Sequence, residues 1–173
     1  LEARFEAMSM EHRITMADAI EALLSRAAEE VSRDSAAFAA ALAVLAEVRG
    51  QPKAVFEAYE APLLADQFEP VHANNLAYAL ARLGVDLERA LKLIVRAQHQ
   101  VGERVPSYMD TEAWVRYRMN DVVTAAALMR RTLHGAYERG ADISGAQSEM
   151  LYHYGMILEA LDEDAEQVWR ACA

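Results

Sequence analysis

The chain has 173 residues, 54% of them hydrophobic, and a formal net charge of −10. That apolar content excludes a disordered chain, and 7 Gly and 4 Pro are too few for a turn-rich β-sandwich or barrel. The acidic balance speaks against general nucleic-acid binding, which needs a basic footprint, and the single Cys, Cys172, excludes an internal disulfide framework or a multi-cysteine metal site.

Leu1 stands where an initiator Met would, so the chain reads as a fragment of a longer one. The compartment is left open, with the cytoplasm favoured. Residues 1–13 carry a weak helical pattern that turns Phe5, Ala7 and Met8 inward. Thr15-Met16-Ala17-Asp18 resembles a capping box and predicts a second helix through Ile20, Leu23, Leu24 and Ala27 to Val31. Asp34 and Ser35 suit the start of the next helix, Ala36 to Arg49. It holds the longest apolar run, Ala36 to Ala46, far short of the ~18 residues of a membrane span, so no membrane insertion is expected. Gly50-Gln51-Pro52 stops that helix and opens another. Val55, Phe56, Tyr59 and Leu63 carry the new one, and Pro62 is expected to kink or end it.

From Asn74 to Leu133 one pattern is written twice. The first copy runs through Leu76, Ala77 and Leu80, turns at Gly84-Val85-Asp86, and continues through Ala90 and Ile94. The second runs through Ala113 and Val115, turns at Asn120-Asp121, and continues through Ala125 and Met129. Ala77 and Ala113 are 36 residues apart, Ala90 and Ala125 35, and Pro70 and Pro106 introduce the two copies. Such a period marks a helical repeat. Projected outward, the small residue of each first helix falls at Ala7, Ala43, Ala77, Ala113 and Gly155. The second helices place Ala19, Val55, Ala90 and Ala125 inward, each followed four residues later by Leu23, Tyr59, Ile94 or Met129. Turns fall at Gly50, Gly84, Asn120 and Asp162. Small side chains at these points let paired helices approach closely, and the bulky residue one turn on fills the neighbouring hole.

After Leu133, Gly135, Gly140 and Gly145 predict a helix end and a longer loop. Glu149 to Leu161 is again amphipathic, and Asp162, Glu163 and Asp164 place acid at the first turn of a last helix. Val168 and Trp169 make that helix apolar enough to meet the rest of the chain or another copy. Arg outnumbers Lys fifteen to two, a bias read as the base composition of a bacterial genome. Net charge is −7 over residues 1–70, +3 over 71–139 and −6 over 140–173. A basic middle of that kind favours an acidic partner at the centre, although solvated helix faces vary in sign on their own.

Leu42-Ala43, Leu76-Ala77 and Tyr154-Gly155, with the Ala-x3-large pairs of the second helices, give the chain its resemblance to the tetratricopeptide repeat family. The resemblance covers residues 36–133 well and the rest loosely. It implies an all-α fold: a right-handed superhelix of antiparallel helix pairs in four to five repeats, roughly 1–33, 34–69, 70–105, 106–140 and 145–173. Several positions depart from the pattern. Glu112 and Arg116 take apolar sites and are expected to pair at i,i+4 facing solvent or groove; Val85 is inserted, and Gln167 stands where Ala belongs.

Candidates for chemistry are thin. Glu149 and His153 share a helical face at metal-ligand spacing, but a third ligand is not evident, and an ordinary polar pair is the commoner meaning. His12, His72, His99 and His134 are isolated and expected to be mostly exposed. No phosphate loop, dinucleotide fingerprint or nucleophile elbow occurs, and the acids at 162–164 lack a calcium-loop rhythm. The expectation is a protein that is not an enzyme and takes no cofactor and no metal.

In the resembled family the first helix of each pair lines the concave surface. Its groove positions map to Asn74, Tyr78 and Arg82, then Asp110, Trp114, Tyr117 and Arg118, then Tyr152, Met156 and Glu159. Aromatic area interleaved with polar handles suits the capture of a protein or peptide, while packing of Trp114 and Tyr117 between repeats stands as an equal alternative. A different class of role is also open: a structural or regulatory module of a larger protein, or a segment that self-assembles through its terminal repeats.

Overall fold

The computed structural model describes residues 9–30, 36–64, 68–101, 105–138 and 148–172. Among them lie nine helices and no strand: α1 (Met10–Glu30), α2 (Ala36–Val48), α3 (Pro52–Leu64), α4 (Pro70–Leu83), α5 (Leu87–Val101), α6 (Pro106–Arg118), α7 (Val122–Glu138), α8 (Ser148–Ala160) and α9 (Glu166–Cys172). None is long and apolar enough to cross a membrane.

Four of the turns share one construction. Gly50, Gly84, Asn120 and Asp162 all adopt left-handed backbone, with φ between 60° and 68°. In each case the next residue's N–H returns to the carbonyl five positions back: Gln51 to Ala46, Val85 to Leu80, Asp121 to Arg116 and Glu163 to Leu158, at 2.8–3.1 Å. This is the Schellman termination, which satisfies carbonyls that the helix end would otherwise strand. It needs a residue that tolerates positive φ, and Gly, Asn and Asp are the three types that do so most readily. The tight reversal lays each second helix antiparallel on its first, forming the hairpins α2–α3, α4–α5, α6–α7 and α8–α9. Pro70 and Pro106 occupy the first turns of α4 and α6, where a missing N–H costs nothing.

Each hairpin packs on the next through its second helix, α3 on α4, α5 on α6 and α7 on α8. The first helices α2, α4, α6 and α8 also touch one another in succession. Among the described residues no comparable packing joins one second helix to the next. The apolar interior is accordingly a series of clusters along the array. One holds Ala17, Leu24, Leu45 and Val48; another holds Ala43, Ala46, Val55 and Ala79. A third gathers Leu76, Ala77, Ala90, Ile94, Trp114 and Val115, and a fourth Ala113, Ala125, Met129, Leu151 and Ile157.

From residue 43 onward the sequence grid matches this interior. Ala43, Ala77, Ala90, Ala113 and Ala125 are wholly buried, as are Ile94 and Met129. At the N-terminal end it does not. Met10 to Glu30 is one unbroken helix, and the supposed capping Thr15 sits mid-helix with its hydroxyl on the Glu11 carbonyl at 3.0 Å. Ala19 is exposed and Leu23 is 62% exposed, while Ala17 and Leu24 face inward. Ala19 and Leu23 follow from projecting a fixed period outward, and each residue by which the real spacing departs from that period rotates the inward stripe by about 100°. The expected inward Phe5, Ala7 and Met8 and the caps Asp34 and Ser35 lie outside the described residues, as do Gly140 and Gly145.

α7 runs through Gly135 and ends at Glu138, within the segment where a helix end was expected; a helix tolerates one interior Gly at about 1 kcal/mol. Two further expectations are corrected. His72 is 4% exposed rather than open to solvent. Glu112 and Arg116 do pair, at 2.8 Å, but with Glu112 buried against the array: Gln98 of α5 donates to Glu112 at 2.8 Å, and the half-buried Arg116 also reaches Asp121 at 3.1 Å. Burial alone would lower the Arg116 pKa, but the bonds to the two carboxylates outweigh it and raise it.

Candidate functional site

The candidate residues share one register. Relative to the small residue of each first helix, positions three before, one after and five after fall on one stripe. On α4 these are Asn74, Tyr78 and Arg82; on α6, Asp110, Trp114 and Arg118; on α8, Tyr152 and Met156. Because α4, α6 and α8 lie side by side, the three stripes form one face.

Its centre is an aromatic stack. Trp114 lies over His153 with ring centroids 4.2 Å apart and planes 20° apart, and Tyr117 lies against Trp114 at 5.0 Å and 22°. Tyr78 of α4 approaches His153 at 5.9 Å, and Tyr152 approaches it at 6.1 Å. Beneath the stack, His153 Nδ1 is 3.0 and 3.1 Å from the two carboxylate oxygens of Asp110. A buried imidazole N–H pointing at a buried carboxylate meets the need of both groups for a partner. Tyr78 donates its hydroxyl to the Glu149 carboxylate. Burial pushes the Tyr78 phenol well above its ordinary pKa of 10, and the bond to Glu149 adds to the rise.

At the α4/α6 end of the face, the Arg118 guanidinium donates to the Arg82 carbonyl at 2.8 Å and sits 5.9 Å from the Trp114 ring. A Cβ on Gly84 would lie 2.8 Å from Arg118 Nη2, so the turn glycine also makes room for this side chain. At the other end Tyr152 is 44% exposed and meets Trp169 of α9 edge-on at 6.0 Å. Trp169 donates its indole N–H to Glu159 at 2.8 Å and lies against Gly155.

The structure therefore gathers Tyr78, Asp110, Trp114, Tyr117, Arg118 and Tyr152 around one centre, with Arg82 joined through its carbonyl. Their exposure differs. Asp110 and Trp114 are buried; Asn74, Tyr78, Arg82, Tyr117, Arg118 and Met156 are half-buried; Tyr152 and Glu159 are exposed. Met156 packs on the α4/α6 cluster, and Asn74 donates to the side chain of Asn75 at 3.3 Å. His153, which holds the centre together, was legible only as a helical neighbour of Glu149. Its signal is position: it adjoins Tyr152 on the same first helix, one residue off the stripe.

An Asp–His pair has the form of a proton relay, yet this imidazole is 2% exposed with Trp114 stacked on one face, so substrate does not reach it here. Among the described residues no three His, Cys, Asp or Glu side chains converge as metal ligands. Neither a known protein-family profile nor a curated protein sequence matches this chain.

Proposed function

We propose that the chain is a non-enzymatic interaction scaffold, a right-handed solenoid of helical hairpins of the tetratricopeptide kind, whose first-helix face takes an extended peptide of a partner protein. The observation that carries this reading is the shared register of α4, α6 and α8: aromatic and polar side chains from three successive hairpins fall on one continuous face. Stacked hairpins whose first helices pack together, with no comparable packing between second helices among the described residues, curve toward the first-helix side, and such a concave face suits extended peptides. Arg118 within the basic middle segment suits a carboxylate on the ligand.

A displayed random-peptide library panned against the chain tests the reading. Selected peptides should lose about thirtyfold in affinity, the ~2 kcal/mol of a hot-spot truncation, on Tyr152→Ala or Arg118→Ala. Val95→Ala and Val123→Ala, on the second helices, should leave affinity unchanged. Enriched peptides that ignore the first pair and are released by the second place the site elsewhere. Trp114→Ala is a poor probe, since it opens the packing as well as the face.

A second reading, self-association through an end helix, draws on Met10 and Ile14, which lie four residues apart on α1 and are 72% and 56% exposed. Sedimentation that does not change with concentration would set it aside.

A further inference from the structure

The face just described is closed over its own aromatic centre. Trp114 is 6% exposed and His153 2%. The Trp114 indole N–H meets no acceptor among the described residues, although it is shut away from solvent. An unmet buried donor is costly, and an arrangement that uncovers it relieves that cost. The side chain of one tyrosine spans this centre from edge to edge. Tyr78 belongs to α4, on one side of α6; its ring approaches His153 and its hydroxyl bonds Glu149, both on α8 at the other side. No extended backbone packing joins α4 to α8 among the described residues. Glu149 is exposed, so its carboxylate is readily taken back by water when the bond breaks.

We propose that the Tyr78–Glu149 hydrogen bond is an autoinhibitory latch, closed in the free chain and broken when an extended peptide lies along α6. The inference rests on reading this face as the peptide site. A peptide backbone carbonyl is the matching group: it accepts the hydrogen that Tyr78 gives to Glu149, or the one for which Trp114 finds no acceptor among the described residues. Ligand and Glu149 therefore compete, and removing Glu149 or the Tyr78 hydroxyl shifts the face toward its open form. A hydrogen bond to a charged acceptor is strong enough to change that equilibrium about tenfold.

Acrylamide quenching of Trp114 fluorescence, read in a Trp169→Phe background so that one indole of the two reports, tests the latch without any ligand. Tyr78→Phe keeps the ring and Glu149→Ala keeps the helix; each deletes the bond, and circular dichroism checks helix content. The quenching constant should rise in both variants and rise no further in the double variant, because both remove the same interaction. An unchanged constant in either single variant overturns the latch. That failure leaves the peptide reading standing, since no peptide enters the measurement. An unlatched chain that enriches no peptide would mark failure of the site reading instead.

Discussion

Tyr78 joins packing, titration and the candidate site in one side chain. Its phenol is held protonated first by burial and then by the Glu149 carboxylate, so its folded pKa lies above the ordinary 10. A group raised in this way contributes stability that is intact below pH 10 and declines as the unfolded chain ionises and the folded one does not. The loss should approach about 1.4 kcal/mol per pH unit above pH 10. Urea unfolding at pH 9 and pH 11 should show a steeper loss in the parent than in Tyr78→Phe. Tyr108, also raised by burial and by Glu69, supplies a residual slope common to both. Equal slopes in the two proteins would mean that the phenol reaches solvent freely.

Elements are where sequence and structure agree best, and the reasons are local. The turns at Gly50, Gly84, Asn120 and Asp162 were legible because positive φ restricts residue choice at one position. The buried alanines were legible because a close helix crossing admits little else. Phase at the N-terminal end was not legible. α1 packs chiefly on α2, so its apolar residues spread beyond one stripe and Thr15 gave a false start. The site was half legible: register predicted which side chains share a face, but left open whether Trp114 faces the groove or packs between repeats, and the structure packs it. Nor did register show that His153 would anchor the stack through Asp110, a contact made 43 residues away.

Gly155 shows the same limit from the other side. Its pairing with Tyr154 marked a close crossing, yet the partner was hidden: a Cβ there would lie 2.5 Å from the Trp169 ring. Alanine normally improves a helix by about 1 kcal/mol over glycine. Here the rigid indole must move, losing its bond to Glu159, and overpacking of this kind typically costs about 1–3 kcal/mol. Gly155→Ala should therefore be less stable to urea than the parent, with α9 partly released. A variant more stable than the parent would show that α9 yields cheaply and that helix propensity decides.

At the scale of the whole molecule, the apolar interior is divided between hairpins rather than gathered in one centre. Leu45 packs with Ala17, Leu24 and Val48, while Ile157 packs with Ala113, Met129 and Leu151. Clusters linked chiefly through nearest neighbours make stability a sum of local interfaces, so damage at one end stays near that end. Leu45→Ala should cost about 2–5 kcal/mol at its own site, and Ile157→Ala a similar amount at the other. Amide hydrogen exchange should then report α1 to α3 opening faster in the first variant while α6 to α8 keep their protection, and the reverse in the second. If either change raised exchange evenly from α1 to α9, the helices would be opening as one cooperative unit. The hairpin-by-hairpin architecture, and with it the expectation that the first-helix face can open at Tyr78 without unfolding the rest, would then be wrong.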